Sequence, residues 1–532
     1  MTTAETATGP VVVDGESLTV DALRRVAESG APVEVHAEAM EKVRRSRAAL
    51  ESMIARGEPV PGAVGGDGRE SPPGVDAAGE CERQTNLVRS HSAGVGPLYA
   101  EDEARAMVTA RLNSLAKGHS AVRPDLLDRM VLYLNEGIVP AVPEIGAPGP
   151  VDLVPLAHVA STLIGEGHVL HDGRRQETRR VLDARGVAPL RLGVKEGTAL
   201  INGTSGTGGL GALVVARALD QVRQAEIASA FVDDAVQGPG SPSLAAGDDP
   251  ARAHRGQTDS AANVRDLLAG SRGSRGSRES REAEHKGAAP GFPGQQVHGM
   301  RTAPTVPQVL GAARDTLRHA TEKLERELNS ANDEPLFLPD GKVLHGTTAQ
   351  GGAVALALEL VTIALGHVGE LAVRQIDRML TRRPDSGVPR YLVAADPARH
   401  HGFAGVGHTA RALAAENRMV GTAAAQAVTA LGDDRGPAGT GLLAARTARR
   451  VLQNNDRILA IGLIAAAQTA DLSRRSDELS PANMATYDMV RSLVPPLGVD
   501  RSMAQDVELI ATALSRAEFL HLLLRQEGIV LR

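Results

Sequence analysis

Three stretches of this chain carry apolar residues at three- and four-residue spacing over unusual lengths: 212–236 (ALVVARALDQVRQAEIASAFVDDAV), 351–383 and 444–472 (AARTARRVLQNNDRILAIGLIAAAQTADL). That spacing is the period of a helix with a buried face. Strand-like alternation is rare, and VVVDGESLTV at 11–20 is the best candidate. The apolar run 351–368 is interrupted by Glu359, which suits a buried helix better than a membrane span. Four Tyr, five Phe and no Trp leave Ala, Leu, Val and Ile to build the core. Small side chains let helix axes approach closely. The expectation is a mostly α fold around a long central bundle, with a small mixed N-terminal region and no parallel sheet.

Other classes are excluded by charge and cysteine content. A net charge of −6, from 58 basic and 64 acidic residues, is not that of a nucleic-acid binder. The lone Cys81 rules out an internal disulfide and argues against a cysteine-based metal site. The opening MTTAETATGP has neither a basic region nor an apolar core, so a soluble cytoplasmic protein with no membrane partner is expected. Residues 61–80, 237–256 and 270–297 are rich in Gly, Pro and charge and read as loops. GTSGTGGLG at 203–211 lacks the Lys-Ser/Thr of a phosphate-binding loop, and close helix packing is the simpler use of its glycines.

Several segments resemble the histidine and phenylalanine ammonia-lyases, the aromatic amino acid ammonia-lyase family. They are NLVRSHSAGVG (86–96), RLNSLAKGHSAVRP (111–124), DLVPLAHVASTLIGEG (152–167), KEGTALINGT (195–204), ELNSANDEPL (327–336), AAENRM (414–419) and LSPANMATYD (479–488). They occur in the family's order along most of the chain. The resemblance implies an ammonia-lyase/fumarase-like helical bundle, a small-molecule substrate and a homotetramer whose sites combine several subunits. It divides the chain into 1–200 with the catalytic loops, 201–480 with the central bundle and the Ser/Arg/Gly-rich loop 270–300, and a C-terminal helical segment 481–532.

The family builds an electrophile, a methylidene-imidazolone, from consecutive Ala-Ser-Gly. Here Gly149, Pro150 and Val151 precede Asp152, and no serine lies between Ser120 and Ser161. Proline, a tertiary amide, cannot take the glycine's part. The family's catalytic Tyr positions fall on Pro61 and Arg301, its Arg on Pro304, its Asn-Phe on Thr348 and Ala349, and its Gln-Glu-Asp-His on Gly432, Asp433, Asp434 and Arg435. Two pocket positions match, His91 and Asn202. Each has a plainer use, backbone hydrogen bonding for His91 and helix capping for Asn202. His158 reads as a satisfied core histidine, and His400 and His401 as surface residues. The candidates are therefore His91, Asp433 and Asp434 for proton transfer, and Asn202, Arg301 and Gln308 for substrate binding, with loop 270–304 as a lid. No cofactor and no metal is expected. The functional expectation is a divergent enzyme of specialised metabolism without methylidene-imidazolone. It would act on a small amino-acid-like or carboxylate substrate by elimination, addition or condensation, with ordinary ammonia-lyase activity disfavoured. The alternative is a catalytically inactive scaffold or regulatory subunit.

Overall fold

A computed structural model describes residues 9–58, 60, 77–146, 151–237, 253–271, 305–338, 340–346, 350–381, 388–420, 440–474 and 476–532. Helix dominates them, as the periodicity requires. In chain order they form β1 (Val11–Val13), α1 (Val20–Ser29), β2 (Val33–Val35), α2 (Ala37–Ala55), α3 (Ala77–His91), β3 (Val95–Leu98), α4 (Glu101–Ala116), α5 (Pro124–Asn135), β4 (Val139–Pro140), β5 (Pro143–Ile145) and α6 (Leu153–Leu163). The chain continues through β6 (His168–His171), β7 (Arg174–Glu177), α7 (Thr178–Ala184), α8 (Glu196–Ile201), α9 (Ser205–Gln237), α10 (Arg255–Leu268) and α11 (Val306–Leu328). After β8 (Leu336–Phe337) and β9 (Val343–Leu344) come α12 (Gly352–Leu380), α13 (Ala404–Val420), α14 (Gly441–Ser473), α15 (Pro481–Leu493), α16 (Ala504–Ser515) and α17 (Glu518–Glu527). The three predicted helices correspond to α9, α12 and α14. The chain divides into two compact units, one of Met1–Ala216, His319–Glu359 and Thr422–Arg446, the other of Arg217–Arg318, Leu360–Gly421 and Thr447–Arg532.

In the first unit only the start of the predicted strand is a strand. β1 pairs in parallel with β2, Val11 opposite Val33. The Asp14 carboxylate then accepts from the amides of Glu16 and Ser17 at 2.7 and 2.8 Å, which turns the chain. Thr19 accepts from the Ala22 amide at 3.1 Å and caps α1. Helix α4 is buried from Glu103 to Ala116 and packs against α1, α2 and α5. The glycines of 203–211 serve close packing, as expected. A Cβ on Gly209 would lie 2.6 Å from the Ala106 carbonyl carbon, and one on Gly211 would lie 3.0 Å from Leu324. Two predicted loops are shorter than expected, because Ala77 already opens α3 and Arg255 opens α10. Residues 61–76, 238–252 and 272–304 lie outside the described residues.

The second unit is held by small side chains and a chain of buried amides. Ala460, Ala465, Ala466, Ala467 and Ala470 line the buried face of α14. Gln221 of α9 donates to the Leu452 carbonyl at 2.8 Å and to Asp456 at 2.6 Å. Asn455 donates to Gln221 at 3.2 Å and to the Leu365 carbonyl of α12 at 2.7 Å, and accepts from Asn417 of α13 at 3.0 Å. A Cβ on Gly369 would lie 2.3 Å from the Asn455 side-chain oxygen, so α12 can lie against the amides only through a glycine there. Elsewhere the unit buries an ion pair, Arg314 donating to Glu226 at 2.8 and 2.5 Å, with Asn263 donating to the same carboxylate at 2.7 Å.

Burial pushes the Asp456 carboxyl up to about 7, against the hydrogen bond from Gln221 and the charges of Arg457 and Arg217. The folded chain therefore holds a proton that the unfolded chain has lost. The resulting penalty grows from about pH 4 upward and is complete above about pH 7. Asp456→Asn mimics the protonated acid, so it should raise the melting temperature by a few degrees at pH 8. The gain should be smaller at pH 4.5, and scanning calorimetry at the two pH values would check the difference.

Candidate active site

The local frame around the candidate residues is a trio of packed helices, α3, α6 and α8, all in the first unit. His91 is the last residue of α3 and is half-buried. Its Nδ1 lies 3.0 Å from the Leu87 carbonyl and 3.1 Å from the Ser90 hydroxyl. A carbonyl only accepts, so Nδ1 carries the proton and the lone pair of neutral His91 is on Nε2. The next residue, Ser92, donates to the carbonyls of Val88 at 2.8 Å and Ala157 at 3.2 Å, tying the end of α3 to α6. His158 is hydrogen-bonded, as its sequence context suggests, but half-buried and not in the core. Its Nε2 accepts the Gly94 amide at 3.0 Å, and burial lowers its pKa, so it stands neutral in the frame. Gln308 lies in the first turns of α11 in the second unit, half-buried, its side-chain oxygen without a partner among the described residues. Arg301, Asp433 and Asp434 lie outside the described residues, as do Pro61, Pro304, Thr348, Ala349, Gly432 and Arg435. His400 accepts the Asp500 amide at 3.4 Å, and His401 is exposed.

Asn202 is the C-cap of α8, but its side chain does not make the capping bond expected of it. Its amide donates to the Thr198 carbonyl at 2.9 Å and its carbonyl accepts from Arg111 at 3.0 Å. The main chain alone makes these bonds. The side-chain carboxamide has no partner among the described residues and is free for a ligand.

Arg111 was not singled out from the sequence, yet it organises this corner. It sits in α4 with no solvent exposure. Its guanidinium donates to the Asn332 side chain at 3.0 Å, to the Asn202 carbonyl and to the Ala199 carbonyl. Asn332 also accepts from Ser114 at 2.9 Å and donates to Thr204 at 2.8 Å, and Thr204 donates in turn to Glu327. A Cβ on Gly203 would lie 2.4 Å from Arg111 Nη1, so only glycine lets the Asn202–Thr204 turn close over the guanidinium. Beside it, Lys195 and Asp333 form an ion pair with no exposure on either side.

Asp152 opens the segment DLVPLAH and is held as firmly. It is 3% exposed, donates its amide to the Gly203 carbonyl at 2.8 Å, and accepts from the Thr207 amide at 2.7 Å and hydroxyl at 3.0 Å. A carboxylate therefore caps the first turn of α9 from another segment. Burial pushes it up to about 6, while the Thr207 hydrogen bonds act against that rise. The signal for Arg111 and Asp152 was available, since each is a charge inside an apolar stretch, and such a charge must be paired.

Comparisons with known proteins agree on what this frame is. A family model described as aromatic amino acid lyase matches residues 18–492. The MIO-dependent (methylidene-imidazolone-dependent) tyrosine 2,3-aminomutase of Streptomyces globisporus is 54% identical over 537 residues, covering 100% of both chains. The tyrosine ammonia-lyase of Cupriavidus metallidurans is 42% identical over 514 residues, covering 95% of this chain and 96% of that one. The crystal structure of the Streptomyces globisporus tyrosine aminomutase superposes with a TM-score of 0.91 at 54% identity, covering 98% of this chain and 100% of that one.

These relationships overturn the expectation of a divergent enzyme working without methylidene-imidazolone, and with it the inactive scaffold. That expectation rested on a few positions read motif by motif, most of them outside the described residues. Identity along the whole length retains far more of the framework than those positions remove. Nor do the relatives support setting ordinary ammonia-lyase activity aside. One fact of composition stands. A Cβ on Gly146 would lie 2.3 Å from Val154, so glycine suits that position, but residues 121–160 contain no Ser or Thr to supply the hydroxyl that the group is made from, and no Cys in its place. These residues do not fit the group, and no chemical step is derived through it. By its sequence and its fold, this chain belongs to the aromatic amino acid lyase family.

Proposed function

We propose that the chain is an aromatic amino acid aminomutase or ammonia-lyase and that its substrate is tyrosine. The observation that carries this reading is the 54% identity over the full length of a tyrosine 2,3-aminomutase, with a tyrosine ammonia-lyase at 42%. The reaction class requires a proton to leave the β-carbon and the bond from the α-carbon to nitrogen to break. An aminomutase then returns the amine to the β-carbon and a proton to the α-carbon. His91 suits proton transfer, with its basic nitrogen on Nε2. The unpartnered carboxamide of Asn202, at the end of another helix of the packed trio, suits a polar group of the substrate. Asp433 and Asp434 remain the further candidates for proton transfer, and Arg301 and Gln308 for the carboxylate.

Incubation with L-tyrosine should yield β-tyrosine, 4-hydroxycinnamate or both, detected by chromatography and mass spectrometry, while L-histidine should remain unchanged. If L-tyrosine is neither converted nor able to raise the melting temperature, the substrate assignment fails. His91→Ala should lower kcat by about 10²–10⁴ with the fold intact by circular dichroism.

The same proposal includes a homotetramer in the cytoplasm. Leu356, Leu360 and Ile363 lie on one stripe of α12 and are 62%, 45% and 45% exposed, an apolar row of the kind that another subunit covers. Light scattering on the purified protein should give four chains of 55.4 kDa, and a stable monomer would overturn that part.

A further inference from the structure

We propose that the first unit carries a second ligand site, separate from His91 and Asn202, for a small carboxylate with an aromatic body. The site is a cavity of about 340 Å³, a size that suits a small ligand. Its lining combines the cations Lys42, Arg45 and Lys117, and His119, with an apolar part, here called the floor, of Ala49, Phe337 and Leu338.

The charge is in excess. Glu16 is the one acid of the lining among the described residues. It receives Lys42 at 3.0 Å and stands 3.9 Å from Lys117, which also donates to the Gly15 carbonyl at 3.2 Å. Glu16 can neutralise one of the two lysines, not both. Arg45 is exposed and has no hydrogen bond or ion pair among the described residues. An anion entering here meets at least one uncompensated ammonium and one open guanidinium, whose planar fork matches a carboxylate.

The floor is held rigidly. His119 donates from Nδ1 to the Phe337 carbonyl at 3.2 Å, and the Phe337 amide donates to the His119 carbonyl at 2.8 Å. Phe337 is 2% exposed and belongs to a core cluster with Leu50, Val60, Ala121 and Val194. The wall is equally constrained. Gly118 has φ 81, and a Cβ there would lie 2.5 Å from Lys42 Cβ, so α2 reaches this position only because residue 118 is glycine. The bond from Nδ1 leaves His119 Nε2 free among the described residues for a second polar contact. A bare phosphate or acetate would use the cations and leave the partly exposed Ala49 and Leu338 in water. A neutral ring would use the floor and leave the cations unmatched. A ring bearing a carboxylate uses both.

The test is titration of the full-length protein with 2-naphthoate, followed by ligand fluorescence, with and without saturating L-tyrosine. Saturable binding that persists in tyrosine is expected. 2-Naphthamide and acetate should each bind at least about tenfold more weakly. Arg45→Glu reverses one exposed charge, so its melting temperature should match the wild type and its naphthoate affinity should fall at least about tenfold. The proposal is overturned if no saturable binding occurs, if tyrosine displaces the naphthoate, if naphthamide binds equally well, or if Arg45→Glu binds as the wild type does. Failure of tyrosine turnover would leave this inference untouched, because the titration reads binding alone.

Discussion

A guanidinium taken wholly out of water must be given acceptors, and in the first unit Arg111 finds them in the main chain of the candidate site. Its donors fix the carbonyls of Ala199 and Asn202 and the side chain of Asn332, while the charges of Asp333 and Asp152 favour its ionised form. Because desolvation is so unfavourable, few other arrangements of these segments would be tolerated. The position of Asn202 is thus set from beneath. Its main chain is spent on structure and its side chain is left for chemistry, which is how a rigid site is made from a turn.

Polarity inside the second unit does related work by neutral means. With only nine aromatic residues in the chain, shape is specified less by large rings than by alanine-rich surfaces that let helices approach. Such surfaces are smooth and register poorly. The amides of Gln221, Asn417, Asn454 and Asn455 supply register, since each must meet a partner on another helix or on its own neighbour. Asp456 sits at the end of this chain of bonds, and its raised pKa follows from the same burial that makes the network specific.

Most of the fold was legible in the sequence because long helices announce themselves by period, and α9, α12 and α14 fall where the apolar spacing put them. The strand reading of 11–20 went too far, since Asp14 and Thr19 are turn and cap residues whose local hydrogen bonds outrank alternation. The site was legible only in part. His91 and Asn202 could be taken from motifs, and Arg111 and Asp152 show by their apolar context only that they must be paired, since their partners lie 221 and 55 residues away and no local pattern names them. The functional expectation failed for a related reason. A handful of substituted positions weighed more in motif reading than they do against identity spread along the whole chain.

Those sequence separations also bear on how the molecule is made. Arg111 receives Asn332 only after another 221 residues have been synthesised, and Gln221 waits 235 residues for Asp456. Until then Arg111 has only the carbonyls of Ala199 and Asn202, 88 and 91 residues on, and Gln221 in α9 lacks its partners, both in segments rich in apolar surface. Contacts so distant in the chain close slowly, and their halves are prone to associate wrongly while they wait. The interactions that make the finished structure specific therefore leave the growing chain exposed for much of translation, the period when a chaperone would matter most to its yield.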